Sequence, residues 1–370
     1  MSNHKKTTGK YSNGYRKKLW PVWLVALADA LLVGVILLIF AFFHHVLPAI
    51  STKQVHQEAV SVETQLPVVT EAPTVPEETE EAVPEETESA ETIPEETEAP
   101  VPLTEWQIKF ADHFSDEIVW TENSYKSPNV SITIETITKG EGTEKQVYHV
   151  ADIYIASMEN FSTYTANGEM VYFGTQDVMK MNQATNALLS ISGDFLTYQK
   201  GGFLMRNGEI YMETTNNVTI CALFADGTME TYDAKGYTIE DIKARGAVQV
   251  WSFGPVLLDE NGQVRTRYSM PTAVSQTNPR SAIGYYEPGH YCFVVVDGRQ
   301  KNYSKGMSIP ELAAVFQELG CTKAYNLDGG GSAVMVFNQA RFSKQSNGGD
   351  RKLGDILFIR ESAPTTGQEG

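Results

Sequence analysis

The chain has few of the residues that build disulfide frameworks and zinc sites. It contains three cysteines and seven histidines among 370 residues. The cysteines form no C-x-x-C pair and their number is odd, so we predict buried free thiols at Cys221, Cys292 and Cys321, although one bridge is compatible with the count. The histidines form no H-E-x-x-H or similar cluster, so the sequence gives no support for a zinc site.

Signatures of nucleotide and nucleic-acid binding are also missing. No glycine-rich segment ends in G-K-[S/T] before a helix, and none has the dinucleotide fingerprint, so neither of these nucleotide sites is predicted. The segment from residue 103 onwards lacks a basic stripe, so nucleic acid is not an expected partner. The net charge is −17. Most of it comes from one acidic segment, and it therefore says nothing about the substrate.

A long apolar run is present near the N-terminus. Residues 1–18 carry six Lys and Arg and no acid, and Leu19–Phe43 has a single charge at Asp29. As a helix, this run would be roughly 37 Å long, which is enough to cross a bilayer. The basic flank predicts a single-pass protein of the cell membrane, with 1–18 in the cytoplasm and the rest outside. A cleaved signal peptide with a site near Ala49–Ser51 is the alternative. The run is longer than the usual apolar region of about 7–15 residues, which favours an uncleaved anchor.

Residues 44–102 are rich in proline and glutamate. The pentapeptide PEETE occurs at 76–80, 84–88 and 94–98, and almost nothing apolar separates the repeats. Proline blocks helix formation and the glutamates repel one another, so we predict a disordered, extended stalk. Its expected role is to hold the following domain away from the membrane.

Residues 103–361 have the composition of a globular domain, and 362–370 are predicted to be a flexible tail. Alternating segments at 129–137 and 146–158 predict strands, and Asp226-Gly227 predicts a hairpin turn. Strands outnumber helices and many are linked by short turns. The predicted fold class is therefore α+β, with a mixed, largely antiparallel sheet and packed helices.

Three segments are predicted to be helical. Thr104–Phe114 has apolar residues at helical spacing, and 174–190 reads as a helix that runs into a strand. The third segment begins with the capping box of Ser308–Glu311 and should end at Gly320.

An aspartate follows the apolar strand at three places in this domain. These are Asp194 in ISGDF, Asp297 in VVVDGR and Asp328 in NLDGGGS. A single Asp-Gly after a strand is often only a turn. Three of them, each with further polar residues beside it, favour a functional site, because such residues concentrate on loops at strand ends.

The last of these segments predicts an anion-binding loop. Consecutive glycines give up backbone entropy on folding but allow positive φ and close approach, so their exposed amides can form an anion-binding nest. Arginines stand in comparable places, and guanidinium groups match phosphate oxygens. The predicted anion-binding residues are Gly329, Gly330, Gly331 and Ser332 together with Arg280, Arg299 and Arg351.

Three stretches taken in order resemble the phosphodiester glycosidase family. They are NPRSAIGYYEPGHYCFVVVDGRQ, SKGMSIPELAAVFQELGCTKAYNLDGGGSAVMV and NGGDRKLGDILFI. The resemblance extends over about 125–359 and is densest from Arg280 onwards. Two departures from the family pattern occur: Ser192 stands where the family has Asn, and RFSKQS at 341–346 replaces an Asn-x-Pro-Ser motif.

The resemblance implies a hydrolase of the N-acetylglucosamine-1-phosphodiester α-N-acetylglucosaminidase type, which cleaves the C1–O bond of a sugar-1-phosphodiester in envelope or exopolysaccharide glycans. Asp328, Asp194 and Asp297, in this order of preference, are the expected base or nucleophile. Arg280 and Arg299 would hold the phosphate. Asn326 would contact a sugar hydroxyl.

Other functions are compatible with the same residues. The carboxylates would also suit Ca²⁺ or Mg²⁺, which prefer oxygen ligands, so the metal question is open. A non-catalytic module that binds an anionic cell-wall glycan is the main alternative to an enzyme. A structural envelope protein, whose glycines only make turns, is another.

Overall fold

The computed structural model describes residues 102–168, 174–196, 201–214, 218–268, 270–346, 349 and 351–361. The predicted cytoplasmic tail, membrane anchor, C-terminal tail and all but the last residue of the stalk lie outside these ranges. Within them, no helix has the length and apolar character needed to cross a membrane.

The domain is built mainly from short strands. They are β1 Val119–Trp120, β2 Ser124–Lys126, β3 Val130–Lys139, β4 Gln146–Ile155, β5 Phe161–Thr165, β6 Leu189–Ser192, β7 Gly202–Arg206, β8 Glu209–Thr214, β9 Ile220–Phe224, β10 Met229–Tyr232, β11 Ala247–Trp251, β12 Arg280–Glu287, β13 His290–Val296, β14 Lys323–Asn326, β15 Met335–Phe337, β16 Ala340–Arg341 and β17 Asp355–Ile359. The predicted strands at 129–137 and 146–158 correspond to β3 and β4. The Asp226-Gly227 turn joins β9 to β10 as predicted.

The helices are few and short. They are α1 Glu105–Lys109, α2 Val178–Thr185, α3 Ile239–Ala244, α4 Thr272–Ser275 and α5 Ile309–Glu318. Helix α5 begins with the predicted reciprocal hydrogen bonds between Ser308 and Glu311, and Gly320 follows its end with φ of 81°. Helix α1 is shorter than the predicted 104–114 segment, and α2 occupies only the middle of 174–190.

The strands form three sheets rather than one. The orders are β1-β2-β3-β4-β13-β12-β14, β10-β9-β11-β7-β8 and β16-β15-β6-β17-β5. The largely antiparallel character is confirmed, but the mixed component of the prediction is wrong for the described strands, whose named pairs are all antiparallel. Most neighbours in these sheets are joined by hairpins or lie far apart in the chain, and no β-α-β crossover creates a parallel pair.

All three sheets contribute to one central core. Ile132, Ile191 and Trp251, from three different sheets, belong to the same buried cluster. The outer face of the seven-stranded sheet packs against α5. Helix α3 packs against the sheet that contains β9, and α2 against the sheet that contains β17. The three cysteines are buried and free, as predicted.

The register of the strands brings several chain segments to one place. Arg280, the first residue of β12, pairs with Val296 at the end of β13, and Ala282 pairs with Asn326 at the end of β14. The end of β6 likewise lies beside the beginning of β17. The amide of Asp328 donates to the carbonyl oxygen of Gly193 at 2.9 Å and so joins these two sheet edges.

Candidate active site

A cavity of about 240 Å³ lies at this meeting point of the sheets. The predicted residues that line it are Asp328, Gly329, Gly330, Gly331, Arg280, Arg299 and Arg351. Phe195 and Phe253 form an aromatic wall, with ring centroids 6.1 Å apart. The cavity therefore combines positive charge, one carboxylate and apolar faces, which is a usual composition for a ligand site.

Asp328 supplies the carboxylate of this cavity. Its side chain is only 11% exposed and accepts hydrogen bonds from Nη2 of Arg351 at 2.9 and 3.1 Å. Arg351 also donates to the hydroxyl of Ser332 at 2.8 Å. Burial raises the pKa of Asp328 to about 6, even though Arg351 and Ser332 act to lower it. The group is thus ionised at neutral pH but is close enough to its pKa to accept a proton.

The three glycines of this loop differ in whether the structure requires them. A Cβ on Gly329 would lie 2.5 Å from the carbonyl oxygen of Pro279, so this position has no room for a side chain. Gly330 has φ of 64°, and a Cβ there would lie 3.1 Å from the Arg299 guanidinium. A Cβ on Gly331 would meet only Cβ of Arg351, at an ordinary 3.6 Å. The glycines mainly allow the loop to approach its neighbours closely.

The prediction that the loop amides are free to bind an anion is wrong for Gly330 and Ser332. The amide of Gly330 donates to Pro279 at 2.9 Å and that of Ser332 donates to Gly329 at 3.1 Å, because the loop closes as a short 3₁₀ turn. These groups are therefore engaged within the protein. The positive charge of the cavity comes from its arginines.

Arg280 and Arg299 have no carboxylate partner among the described residues. The Arg280 guanidinium is buried and donates to the carbonyl oxygens of Met307, Val274 and Gln276. The exposed Arg299 donates to Oδ1 of Asn278 at 2.7 Å. Burial, and next the charge of Arg299, lower the pKa of Arg280 to about 10. Two guanidinium groups that repel each other and lack a counterion make the cavity attractive to an anion.

Asp194 lies beneath the cavity and does not line it. Its side chain is fully buried and accepts from Nη2 of Arg206 at 3.0 Å. The amides of Ser252 and Phe253 donate to its two oxygens at 3.0 and 3.2 Å. Burial raises the pKa of Asp194 against the opposing effect of Arg206. The structure thus uses Asp194 to hold the segment that carries the aromatic wall.

Asp355 is a buried carboxyl near the site that sequence reasoning missed, and it shares the partner Arg206 with Asp194. Oδ2 of its fully buried carboxyl accepts from Nε of Arg206 at 2.9 Å, whereas Oδ1 has no partner among the described residues. Burial raises its pKa to about 7. A Cβ on Gly193 would lie 2.5 Å from this carboxyl, so glycine is required before Asp194. Asp355 lies within the NGGDRKLGDILFI stretch, but nothing in that stretch indicated its ion pair with Arg206.

Asp297 is placed apart from Asp328. Its buried carboxylate is engaged by the ring Nε2 of His149 at 3.1 Å, the hydroxyl of Tyr303 at 2.9 Å and the amide of Lys344 at 3.0 Å. It does not line the cavity. Its contacts instead fix the loop that follows β13 and carries Arg299.

Asn326 and Ser192 support the site from behind. Asn326 is fully buried and donates to the carbonyl oxygen of Gly254 at 2.7 Å, so its position gives no access to a sugar. Ser192 bonds to the hydroxyl of Ser281 at 2.7 Å and to the carbonyl oxygen of Asp328 at 3.0 Å. The described residues contain no group of three or more His, Cys, Asp or Glu side chains that would hold a metal ion.

Together, the three antiparallel sheets and the arginine-rich cavity beside one buried carboxylate define a candidate site for an anionic ligand. Comparison with known proteins bears on the family. The family model of phosphodiester glycosidases matches residues 182–360, so the resemblance predicted from the sequence is confirmed over this part of the chain.

Known proteins that are similar to the chain include a bacterial prophage protein and a zebrafish catalytic domain. The SPbeta prophage-derived uncharacterized protein YomE of Bacillus subtilis (strain 168) is 26% identical over 197 residues, which are 51% of this chain and 30% of YomE. The match thus spans less than a third of that relative. The zebrafish N-acetylglucosamine-1-phosphodiester α-N-acetylglucosaminidase catalytic domain, auto-inhibited by its pro-peptide, is 20% identical. It has a TM-score of 0.53, and the match covers 66% of this chain and 88% of that domain. At this identity, the likeness establishes the fold alone.

Proposed function

We propose that the domain hydrolyses a sugar-1-phosphodiester at the bond between C1 and the phosphate oxygen, releasing a free sugar and a phosphate monoester. The observation that carries the proposal is the cavity itself. It places an ionisable carboxylate with a raised pKa beside two arginines that have no carboxylate partner in the described part of the chain. The family match at residues 182–360 supports the same class of reaction.

Each residue of the cavity has a role in this reaction. The anionic phosphate binds Arg280 and Arg299, and the faces of the sugar pack against Phe195 and Phe253. Asp328 lies at the anomeric carbon, where it either attacks C1 to form a glycosyl ester that water then hydrolyses, or takes a proton from a water that attacks C1 directly. As the C1–O bond breaks, its electron pair moves onto the phosphate oxygen, where the two arginines stabilise the added charge. Arg351 orients the Asp328 carboxylate.

The arrangement explains how one cavity carboxylate suffices. Most glycosidases use a second carboxylic acid to protonate the leaving oxygen. A phosphate monoester is already stable as an anion, so its departure needs charge stabilisation more than a proton. Asp194 and Asp297, whose carboxylates are held by other groups of the protein, act as positioning residues in this proposal.

We further propose that the domain acts outside the cell, on envelope or exopolysaccharide glycans. The support comes from the sequence of residues 1–102, with its basic start, its apolar run and its acidic stalk. A membrane-held enzyme on an extended spacer would reach polymers near the cell surface.

Released sugar is the direct test of the proposed activity. The purified full-length chain is incubated with UDP-N-acetylglucosamine and with simpler N-acetylglucosamine-1-phosphodiesters, with and without a chelator. We expect release of free sugar from at least one of them. Replacement of Asp328 by Asn should lower kcat by at least about a hundredfold, while the circular dichroism spectrum remains that of the wild type.

The alternatives give different results. A glycan-binding module would bind the same diesters without turnover, and Asp328→Asn would leave its affinity unchanged. Loss of turnover in the presence of a chelator would indicate that the site contains a metal ion. If none of the diesters is cleaved or bound by the folded wild-type protein, the proposal is wrong.

A further inference from the structure

A second cavity of about 240 Å³ adjoins the proposed phosphate site. It lies between the turn at 142–145 and the loop at 299–305. Arg299 lines both cavities. Arg299 is therefore the residue that the two cavities share.

The lining of the second cavity is strongly cationic. It includes Lys145, Arg299, Lys301 and Lys305 and no Asp or Glu among its described residues. Lys305 is ion-paired with Glu144 at 2.8 Å and with Glu311 at 3.4 Å. Lys145 and Lys301 form no ion pair within the described part of the chain, so the cavity has an excess of positive charge.

The loop that carries Arg299, Lys301 and Lys305 is held in one conformation. The amide of Gln300 donates to the carbonyl oxygen of Ser304 at 3.0 Å, and the amide of Lys305 donates to that of Lys145 at 2.9 Å. The Ser304 hydroxyl also donates to the carbonyl oxygen of Asp297 at 2.6 Å. The cations are thus displayed on a braced loop, which lowers the entropy lost when they bind an anion.

Arg299 itself has a strained backbone. Its φ is 57°, in the left-handed region that residues with a Cβ adopt rarely. Such strain persists where the surrounding structure enforces it, and it concentrates at ligand sites. Here it occurs at the residue that joins the two cavities.

We infer that the second cavity binds an additional phosphoryl group of the substrate, on the aglycone side of the scissile bond. The preferred substrates are then sugar-1-phosphodiesters whose aglycone carries another phosphate. This chemistry has two sources: a diphosphate linkage, as in a nucleotide sugar, or the next unit of a polymer that repeats phosphodiester-linked sugars. The inference rests on the proposed function for the identity of the first cavity.

Kinetics with matched substrates test the inference. The double variant Lys145→Gln/Lys301→Gln removes the two unpaired cations and touches neither Asp328 nor the arginines of the first cavity. Its KM for a substrate with a second phosphate, either UDP-N-acetylglucosamine or a two-unit phosphodiester-linked sugar, should rise by about tenfold, because charge-assisted contacts to phosphate are lost. Its KM for the methyl phosphodiester of N-acetylglucosamine, which has one phosphate, should stay at the wild-type value. Lys235→Gln, an exposed lysine outside both cavities, is the control for general loss of charge.

The two phosphate sources are separated by a third substrate that carries two phosphodiester-linked sugar units. A rise in KM confined to the UDP sugar identifies the diphosphate, and a rise confined to the two-unit substrate identifies the polymer. Equal changes for all three substrates, or changes matched by Lys235→Gln, overturn the inference.

Binding of inorganic pyrophosphate supplies a readout that does not need turnover. Calorimetry with the full-length chain should show weaker pyrophosphate binding by the double variant than by the wild type or Lys235→Gln. Unchanged pyrophosphate affinity contradicts the second site whatever the kinetics show. A protein that binds pyrophosphate through these lysines but cleaves no diester keeps the second site and loses the proposed function.

Discussion

At the scale of single residues, the pKa of Asp328 makes the proposed reaction sensitive to acid. Burial raises this pKa to about 6, and the reaction needs the ionised form. The value of kcat/KM should therefore fall about tenfold for each pH unit below about 6 and level off above it. The pH profile of sugar release measures this limb directly.

Arg351 affects the pH at which the acid limb of the kcat/KM profile lies. Its charge lowers the pKa of Asp328 through the bonds at 2.9 and 3.1 Å, so Arg351→Gln should move the acid limb to higher pH by about one unit. Arg360→Gln changes an exposed arginine that does not line the cavity, and it should leave the limb in place. A limb that does not move in Arg351→Gln would mean that another group controls it.

Asp355 makes a separate prediction about stability. Its folded pKa of about 7 lies above its ordinary value of 3.8, so the stability linked to its proton is present below pH 4 and is lost as pH rises to about 7. Asp355→Asn does not titrate and escapes this loss. The Tm of the variant relative to wild type should thus rise by roughly 5–10 °C between pH 4 and pH 8. Thermal unfolding across this range is the measurement, and a constant difference would refute the assignment.

At the scale of elements, the positions of the glycine loop differ in whether a side chain has room. Gly329→Ala would place a methyl group 2.5 Å from the backbone oxygen of Pro279, so the loop must shift. We expect a loss of about 1–3 kcal/mol in stability and a large loss of kcat, because Asp328 is the preceding residue. Gly331→Ala meets only an ordinary contact and should be tolerated within about 0.5 kcal/mol. Denaturant unfolding of both variants tests the contrast, and equal effects would contradict it.

Some features of these elements could be predicted from the sequence and others could not. The hairpin at Asp226-Gly227 and the capping box of α5 were predictable because their signals are local. The free Gly330 and Ser332 amides were not, since a run of glycines does not say whether its donors find acceptors within the loop. The prediction of a single mixed sheet was wrong for a related reason. Alternation identifies a strand but not its neighbour or its direction.

The site residues also differ in how far the sequence could predict them. Asp328, Arg280 and Arg299 lie in recognisable segments, and the structure gathers them around one cavity. Arg206 on β7 and Asp355 on β17 form an ion pair between two different sheets, and no local pattern encodes this contact. Asp194 and Asp297 were found by the same strand-end rule as Asp328. Only the packing of all three sheets shows that the Asp194 and Asp297 carboxylates are engaged by other residues.

At the scale of the whole molecule, the placement of the domain depends on residues 19–43. Their sequence predicts an uncleaved anchor with the domain outside the cell. In intact cells, externally added protease should therefore digest an epitope placed after residue 361 and spare one placed before residue 19. The intact chain should sediment with membranes, and deletion of 19–43 should leave the domain inside the cell, because the same segment would start its export. A soluble, shortened chain in the medium would instead identify cleavage near Ala49–Ser51, and protection of both epitopes would overturn the predicted topology.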